Sequence, residues 1–83
     1  MDEIDASKLR NLAVSETGFV FDPVSGHTFN TNRTGSVILS LLKDDRSVAE
    51  IVETLIERFD VEDEMARREV QDFVFRLKDL GLG

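Results

Sequence analysis

Asp22, Ser25 and His27 lie together in the sequence "DPVSGH", and these are the residue types of a hydrolytic triad. A triad needs a base that takes the proton of the nucleophile and a third group that orients the base. The same stretch begins with Asp-Pro and has a glycine near its end, which is typical of a hairpin loop. Because such a loop cannot orient three side chains in this way, we interpret the segment as a turn.

Other residues that could do chemistry also have structural explanations. The acidic run "DVEDE", residues 60–64, lacks the glycine and the ligand spacing of a calcium loop, and it suits the start of a helix. The chain has no cysteine, which excludes disulfides, thiolate nucleophiles and zinc–thiolate sites. It also has no glycine-rich phosphate-binding loop. We therefore do not expect an enzyme, and we expect no catalytic residue, no metal and no cofactor.

Length and charge indicate a small binding module. The 83 residues can form one domain but not an enclosed active site. The net charge of −7 opposes a nucleic-acid partner, because contacts with phosphates need Lys and Arg. No apolar run approaches the roughly 18 residues of a membrane span. The acidic start "MDEIDASK" lacks the basic and apolar regions of a secretory signal, so we expect a cytoplasmic protein with no membrane partner.

The first third of the chain is predicted to form a small three-stranded antiparallel sheet. Residues 1–8 are polar and are predicted to be flexible. Two short strands with alternating apolar residues follow, joined by the turn "SETG" at residues 15–18, and Phe19 and Phe21 are expected in the core. The hairpin loop "DPVSG" leads into a third strand, "HTFNT", at residues 27–31. A sheet of this size buries one face at most.

Three amphipathic helices are predicted after the sheet. Asn32 can cap the first helix, and Ser47 with Glu50 three residues later can form a capping box for the second. The third helix is predicted over about residues 62–80 and ends at Gly81. The apolar faces of the helices are expected to form the core and consist, in turn, of Val37, Ile38, Leu41 and Leu42, of Val48, Ile51, Val52, Leu55, Ile56 and Phe59, and of Ala66, Val70, Phe73, Val74, Leu77 and Leu80.

Two positions do not fit a simple amphipathic pattern. Gly35 stands in the first turn after Asn32, where glycine costs about 1 kcal/mol relative to alanine. Either another segment approaches it too closely for a side chain, or the packing of the domain tolerates an imperfect helix start. Phe75 falls on the side of the third helix opposite to its apolar face. It is either a surface aromatic residue or an anchor for a bound peptide.

A small sheet followed by three helices is an α+β arrangement and resembles the winged-helix type. A helix that reads DNA should carry an excess of basic residues on its outer face. In the third helix the basic residues are offset by acidic ones, which are Glu64, Glu69, Asp72 and Asp79. Two alternatives to a peptide-binding function stay open. One is a protein–protein adaptor that dimerises through its strand edge, and the other is a transcriptional regulator.

Read together, "FNTNRTGSVILSLLKDDRSVAEIVETLIERFD" and "VQDFVFRLKDLGLG" resemble the PqqD family. The family pattern runs from a strand that ends in Asn-x-x-Gly, through an aliphatic helix and a charged turn, to an Asp-led helix with a Gly-Leu end. The positions that match it are Asn32, Gly35, Ile38, Leu41, Leu42, Ser47, Val48, Glu50, Ile51, Leu55, Phe59, Asp60, Asp72, Phe73, Leu77, Gly81 and Leu82. The turn "KDDRS" departs from many relatives, which have a glycine in place of one acidic residue. The resemblance covers residues 9–83 and implies a single PqqD-like winged-helix domain.

The resemblance implies a small peptide chaperone, the recognition element for ribosomally made, modified peptides. In this family the leader segment of a precursor peptide pairs with the third strand and lies against the third helix. A modifying enzyme, often a radical S-adenosylmethionine enzyme as in PQQ biosynthesis, acts on the rest of the peptide. The peptide-binding residues implied here are His27, Thr28, Phe29, Asn30 and Thr31 on the strand, and Arg68, Gln71, Asp72 and Phe75 on the helix.

The edge of the third strand is also suited to pairing with a peptide. An edge strand exposes unpaired N–H and C=O groups, and "HTFNT" contains no Pro or Lys that would block pairing with a peptide. In such a fold the first helix begins directly beside the edge strand, so Gly35 is expected to be a position of close approach. We expect the domain to be a monomer or a weak dimer.

Overall fold

The computed structural model describes residues 9–81, and this part of the chain forms three strands followed by three helices. The predicted flexible segment at residues 1–8 lies outside the described residues, as does Leu82. The elements are β1 (Ala13–Val14), β2 (Phe19–Phe21), β3 (Thr28–Asn30), α1 (Arg33–Lys43), α2 (Val48–Phe59) and α3 (Asp63–Asp79). The predicted α+β fold is confirmed.

The sheet is antiparallel with the strand order β1-β2-β3, so β3 lies at one edge. A tight turn joins β1 to β2, and in it Gly18 adopts a φ of 100°, which favours glycine. The loop between β2 and β3 closes with a hydrogen bond from the Gly26 N–H to the Asp22 carbonyl oxygen, 2.7 Å long. Both turns lie where the sequence predicts them.

The prediction that Phe19 and Phe21 lie in the core is wrong. They are 48% and 38% exposed on the outer face of the sheet, whereas Val20 between them is fully buried. Val20 pairs with Val14 on one side and with Phe29 on the other, and these two side chains pack against the core. In a strand of three residues, alternation places either two Phe or one Val inside. Hydrophobicity alone favours burial of the two Phe side chains, whereas the structure buries Val20.

Each helix has a distinct start. The Asn32 side-chain oxygen accepts the N–H of Gly35 at 2.7 Å and caps α1. At α2, the Ser47 hydroxyl oxygen accepts the N–H of Glu50 while the Glu50 carboxylate accepts the N–H of Ser47, so the two residues form a reciprocal capping box. Helix α3 has no side-chain cap, and Asp63 and Glu64 place negative charge in its first turn.

The core lies between the inner face of the sheet and the three helices. Its buried residues are Leu9, Leu12, Val20, Ile38, Leu39, Leu42, Ile51, Val52, Leu55, Ala66, Val70, Phe73, Val74 and Leu77. Val37, Leu41, Val48, Ile56 and Phe59 are half-buried against it. The prediction that Leu80 lies in the core is wrong, because it is the residue that ends α3 and its side chain is 51% exposed beyond the last buried residue, Leu77.

Gly35 packs against two segments at once. A β-carbon at this position would overlap the Thr31 hydroxyl group and would lie 2.9 Å from the Cε1 atom of Phe73. Thr31 directly follows β3, and Phe73 belongs to α3. The missing side chain of Gly35 therefore lets β3, α1 and α3 converge.

We expect Gly35→Ala to destabilise the fold, because the overlap with Thr31 costs about 1–3 kcal/mol and exceeds the helix gain of about 1 kcal/mol. In a Thr31→Ala background the overlap with the hydroxyl group is absent and the close approach to Phe73 remains, so the same change should destabilise the fold less. Urea denaturation of the two single variants and the double variant measures this coupling. Ser40→Ala, at an exposed position of α1, is the control and should change stability little.

The capping box gives the stability a defined pH dependence. The Ser47 N–H, then the Ser47 hydroxyl and the Arg46 guanidinium, lower the pKa of Glu50 below its ordinary value of 4.5. Such a carboxylate stabilises the fold at pH values above its unfolded pKa, and this contribution is lost as the pH falls through the folded pKa. The difference in urea midpoint between the wild type and Glu50→Ala should therefore be largest at neutral pH and shrink in acid. Glu53→Ala, on the same helix, controls for the loss of an exposed carboxylate, and a difference that stays constant with pH would contradict the prediction.

Candidate functional site

The free edge of β3 presents main-chain groups that another strand can use. The Asp22 N–H donates to the His27 carbonyl oxygen at 2.9 Å, and the Thr31 N–H donates to the Gly18 carbonyl oxygen at 2.6 Å. Hydrogen-bonded pairs alternate along an antiparallel ladder. Between these two bonds, the main-chain N–H and C=O groups of Phe29 therefore point toward β2. The same groups of Thr28 and Asn30 point away from the sheet.

A small groove of about 90 Å³ lies beside the end of this edge, between the start of α1 and the middle of α3. The wall on the strand and α1 side consists of Thr31, Asn32, Gly35 and Ile38. The wall on the α3 side consists of Glu69, Asp72, Phe73 and Arg76, at the spacing of one helical face. The groove thus continues the line of β3 onto α3.

The groove combines an apolar floor with charges of both signs. Phe73 is buried and keeps only 7% of its surface exposed, whereas Glu69, Asp72 and Arg76 are exposed at the rim. Glu69 and Arg76 are seven residues apart, which is about 10 Å along a helix. An extended peptide could therefore place an apolar side chain over Phe73 and match its own charges to the two ends of the groove.

The strand residues expected to bind a peptide occupy different environments. His27, Thr28 and Asn30 are exposed. Phe29 is half-buried and packs against the core. Thr31 lines the groove.

The helix residues expected to bind a peptide are not all brought to the groove. Asp72 lines it, whereas Arg68 and Gln71 line a separate shallow hollow near the start of α3. Phe75 is 73% exposed on the outer side of the helix. A contact of these three residues with a peptide stays a prediction.

Sequence reasoning missed Glu69, Phe73 and Arg76 as residues of the groove. The sequence pattern places Phe73 in the core alone, and it places Glu69 and Arg76 on the outer face of the helix, where basic and acidic residues balance. Glu69 and Arg76 border the apolar face of α3 on the side that lies toward β3. That side can be identified only when the position of α3 relative to the sheet is known.

The residues that resemble a triad all serve the hairpin loop. Asp22 accepts the Val24 N–H with one carboxylate oxygen and the Ser25 hydroxyl with the other, at 3.0 and 2.9 Å. The Ser25 hydroxyl is the main cause that lowers the pKa of Asp22. The main-chain N–H of His27 donates to the Ser25 hydroxyl oxygen. These contacts close the turn that presents β3.

Within residues 9–81, no helix combines the length and the apolar character that are needed to cross a bilayer.

Comparisons with known proteins give one matching family model and two similar solved structures. The family model described as coenzyme PQQ synthesis protein D (PqqD) matches residues 18–82. A solved structure described as "Lasso peptide synthetase B1 complexed with the leader peptide" is 28% identical, with a TM-score of 0.71 over 87% of this chain and 88% of that chain. A second, "TbiB1 in Complex with the TbiA(beta) Leader Peptide", is 25% identical, with a TM-score of 0.73 over 86% and 84% of the two chains. No curated protein matches the chain.

The direction of the β3 main-chain groups can be tested by proline substitution. Proline lacks an N–H group and is tolerated on an edge strand where that group faces solvent. We expect Thr28→Pro to keep the fold. Phe29→Pro loses the main-chain bond to Val20 as well as the packing of its ring against the core, so Phe29→Ala is its reference, and the proline should cost more stability than the alanine. Thermal melting followed by circular dichroism measures the three variants. An equal loss in Phe29→Pro and Phe29→Ala would show that the alternation along β3 is not the one described.

Proposed function

Since the chain belongs to the PqqD family, we propose that it is a peptide chaperone, which captures the leader segment of a ribosomally made precursor peptide and presents it to a modifying enzyme. The two similar solved structures are described as complexes with leader peptides, which supports this function. The observation that carries the proposal is the free edge of β3, which runs directly into the groove beside α3.

The leader binds by adding a fourth strand to the sheet. Its main-chain groups pair with those of Thr28 and Asn30, whose N–H and C=O groups point away from β2. Main-chain pairing accepts many sequences, so it supplies affinity with little selectivity. Selectivity then comes from the side chains that the leader places in the groove.

The groove gives the leader a direction as well as a position. Glu69 and Arg76 carry opposite charges near its two ends, and Phe73 forms its floor. A leader with an apolar residue between a basic and an acidic residue therefore fits best in one orientation. The reversed orientation places like charges opposite each other, which is unfavourable.

The modifying enzyme supplies the chemistry in this scheme, and the chain itself has no catalytic role. We propose a radical S-adenosylmethionine enzyme as the partner, on the basis of the family resemblance alone. The chain then acts in the cytoplasm, where a ribosomally made precursor is first available.

Leader binding is tested with labelled leader segments of the short peptides encoded beside this protein, measured by fluorescence anisotropy. We expect Thr28→Pro and Asn30→Pro to weaken binding about tenfold each, which corresponds to roughly 1.4 kcal/mol, because each removes one main-chain donor at the edge. Arg76→Ala should weaken binding of the leader whose acidic residue faces it. Circular dichroism confirms that each variant is folded.

Phe75→Ala is the matched comparison on the same helix. Unchanged affinity would show that the leader contacts only the groove. A loss of affinity would show that the leader also contacts the outer face of α3, as the sequence predicts. If no leader binds the wild type while duplex DNA does so in a salt-sensitive way, the chaperone function is wrong and a regulator replaces it.

A further inference from the structure

A second and larger cleft lies on the opposite side of α1 from the groove. Its volume is about 820 Å³, and it is bordered by the β1–β2 turn, by α1 and by the end of α2. Gly35 and Ile38 of α1 line the groove, whereas Ser36, Ser40 and Leu41 line the cleft. At about 100° per residue, these two sets lie on opposite faces of the helix. A leader in the groove therefore leaves the cleft open.

The floor of the cleft consists of apolar side chains that are only partly buried. Val14, Val37, Leu41 and Phe59 line it, and all four are half-buried. They come from a strand and two helices, so the floor is held in place by the fold itself. The apolar surface of this floor suits the apolar side of an amphipathic segment.

Basic residues concentrate at this cleft although the chain is acidic. Arg33, Lys43 and Arg58 line it, which is three of the ten Lys and Arg residues in a chain of net charge −7. Within the described residues, neither Arg33 nor Arg58 takes part in an ion pair. The Lys43 ammonium donates to the Leu12 carbonyl oxygen, which holds its charge at the wall.

Two acidic residues also line the cleft, against three basic ones, and one of the two is already paired. Asp44 is paired with Arg46, which lies outside the cleft, at 3.1 Å. Glu16 is an exposed residue of the β1–β2 turn. Two guanidinium groups thus stay available above an apolar floor, which is the chemistry that recognises carboxylates on an apolar segment.

We propose that this cleft is the surface that binds the modifying enzyme, through an acidic amphipathic segment of that enzyme. Its carboxylates pair with Arg33 and Arg58, and its apolar side chains cover Leu41 and Phe59. The inference rests on the proposed function, because it assigns the partner of the same chaperone. Leader and enzyme then bind opposite faces of α1, and the chain holds both at once.

The test uses the chain with its labelled leader and the modifying enzyme encoded beside it. We expect Arg33→Glu and Arg58→Glu each to weaken binding of the enzyme about tenfold and to lower the yield of modified precursor, while the affinity for the leader stays within about twofold. Arg10→Glu, an equal charge reversal at an exposed residue outside both the cleft and the groove, should change neither. Enzyme binding to the wild type should also weaken as salt rises, because exposed charges are screened.

A synthetic peptide provides a direct readout of the cleft. A short amphipathic helix of Leu and Glu should shift the amide resonances of Ser36, Ser40 and Leu41, and the same peptide with Lys in place of Glu should not. Equal shifts with both peptides would overturn the charge assignment.

The remaining outcomes separate this inference from the proposed function. Unchanged enzyme binding in both Arg variants, with leader binding intact, overturns the cleft as the interface and leaves the chaperone in place. A wild type that binds no leader overturns the chaperone itself. Loss of self-association in Arg33→Glu or Arg58→Glu, measured by sedimentation, would assign the cleft to a second copy of the chain and overturn the enzyme as its occupant.

Discussion

Thr31 occupies the space that side chains at Gly18 and Gly35 would need. Its carbonyl group lies where a β-carbon of Gly18 would be, and its hydroxyl group lies where a β-carbon of Gly35 would be. Its N–H group also donates to the carbonyl oxygen of Gly18. A single residue thus joins the β1–β2 turn, the end of β3 and the first turn of α1. Two side chains of α1 reinforce this junction, because the Ser36 hydroxyl donates to the Ser15 carbonyl oxygen and the Lys43 ammonium donates to the Leu12 carbonyl oxygen.

The same contact builds the groove, so the binding site and the core are not separate parts of the molecule. Thr31 and Gly35 form one wall, and Phe73 belongs both to the core and to the floor. A site made in this way is preorganised, because its walls cannot move without disturbing packed residues. The wider cleft behind α1 is also built on the core, through Phe59 and Leu41. Helix α1 is therefore a shared wall between two surfaces.

The sequence predicts the features that depend on local chemistry. The two turns, the cap at Asn32 and the capping box of Ser47 and Glu50 all follow from residues within a few positions of one another. The inner face of β2 depends on which strand face meets the helices, and a strand of three residues is too short for its pattern to decide this. The side of α3 that meets the edge of β3 depends on the angle between distant elements. For that reason the sequence does not place Glu69 and Arg76 at the groove, and it names Asp72 only through the family resemblance.

The shortness of β3 has a kinetic consequence. Within β3, only Thr28 and Asn30 turn their main-chain groups outward, so an added strand gains few main-chain hydrogen bonds, and few must break when it leaves. Differences in affinity between related complexes arise mostly in the dissociation rate. A longer β3 edge would retain the leader after modification, so that each chaperone molecule would serve only one precursor peptide. With a short edge, a small number of carrier molecules can serve many precursors in succession.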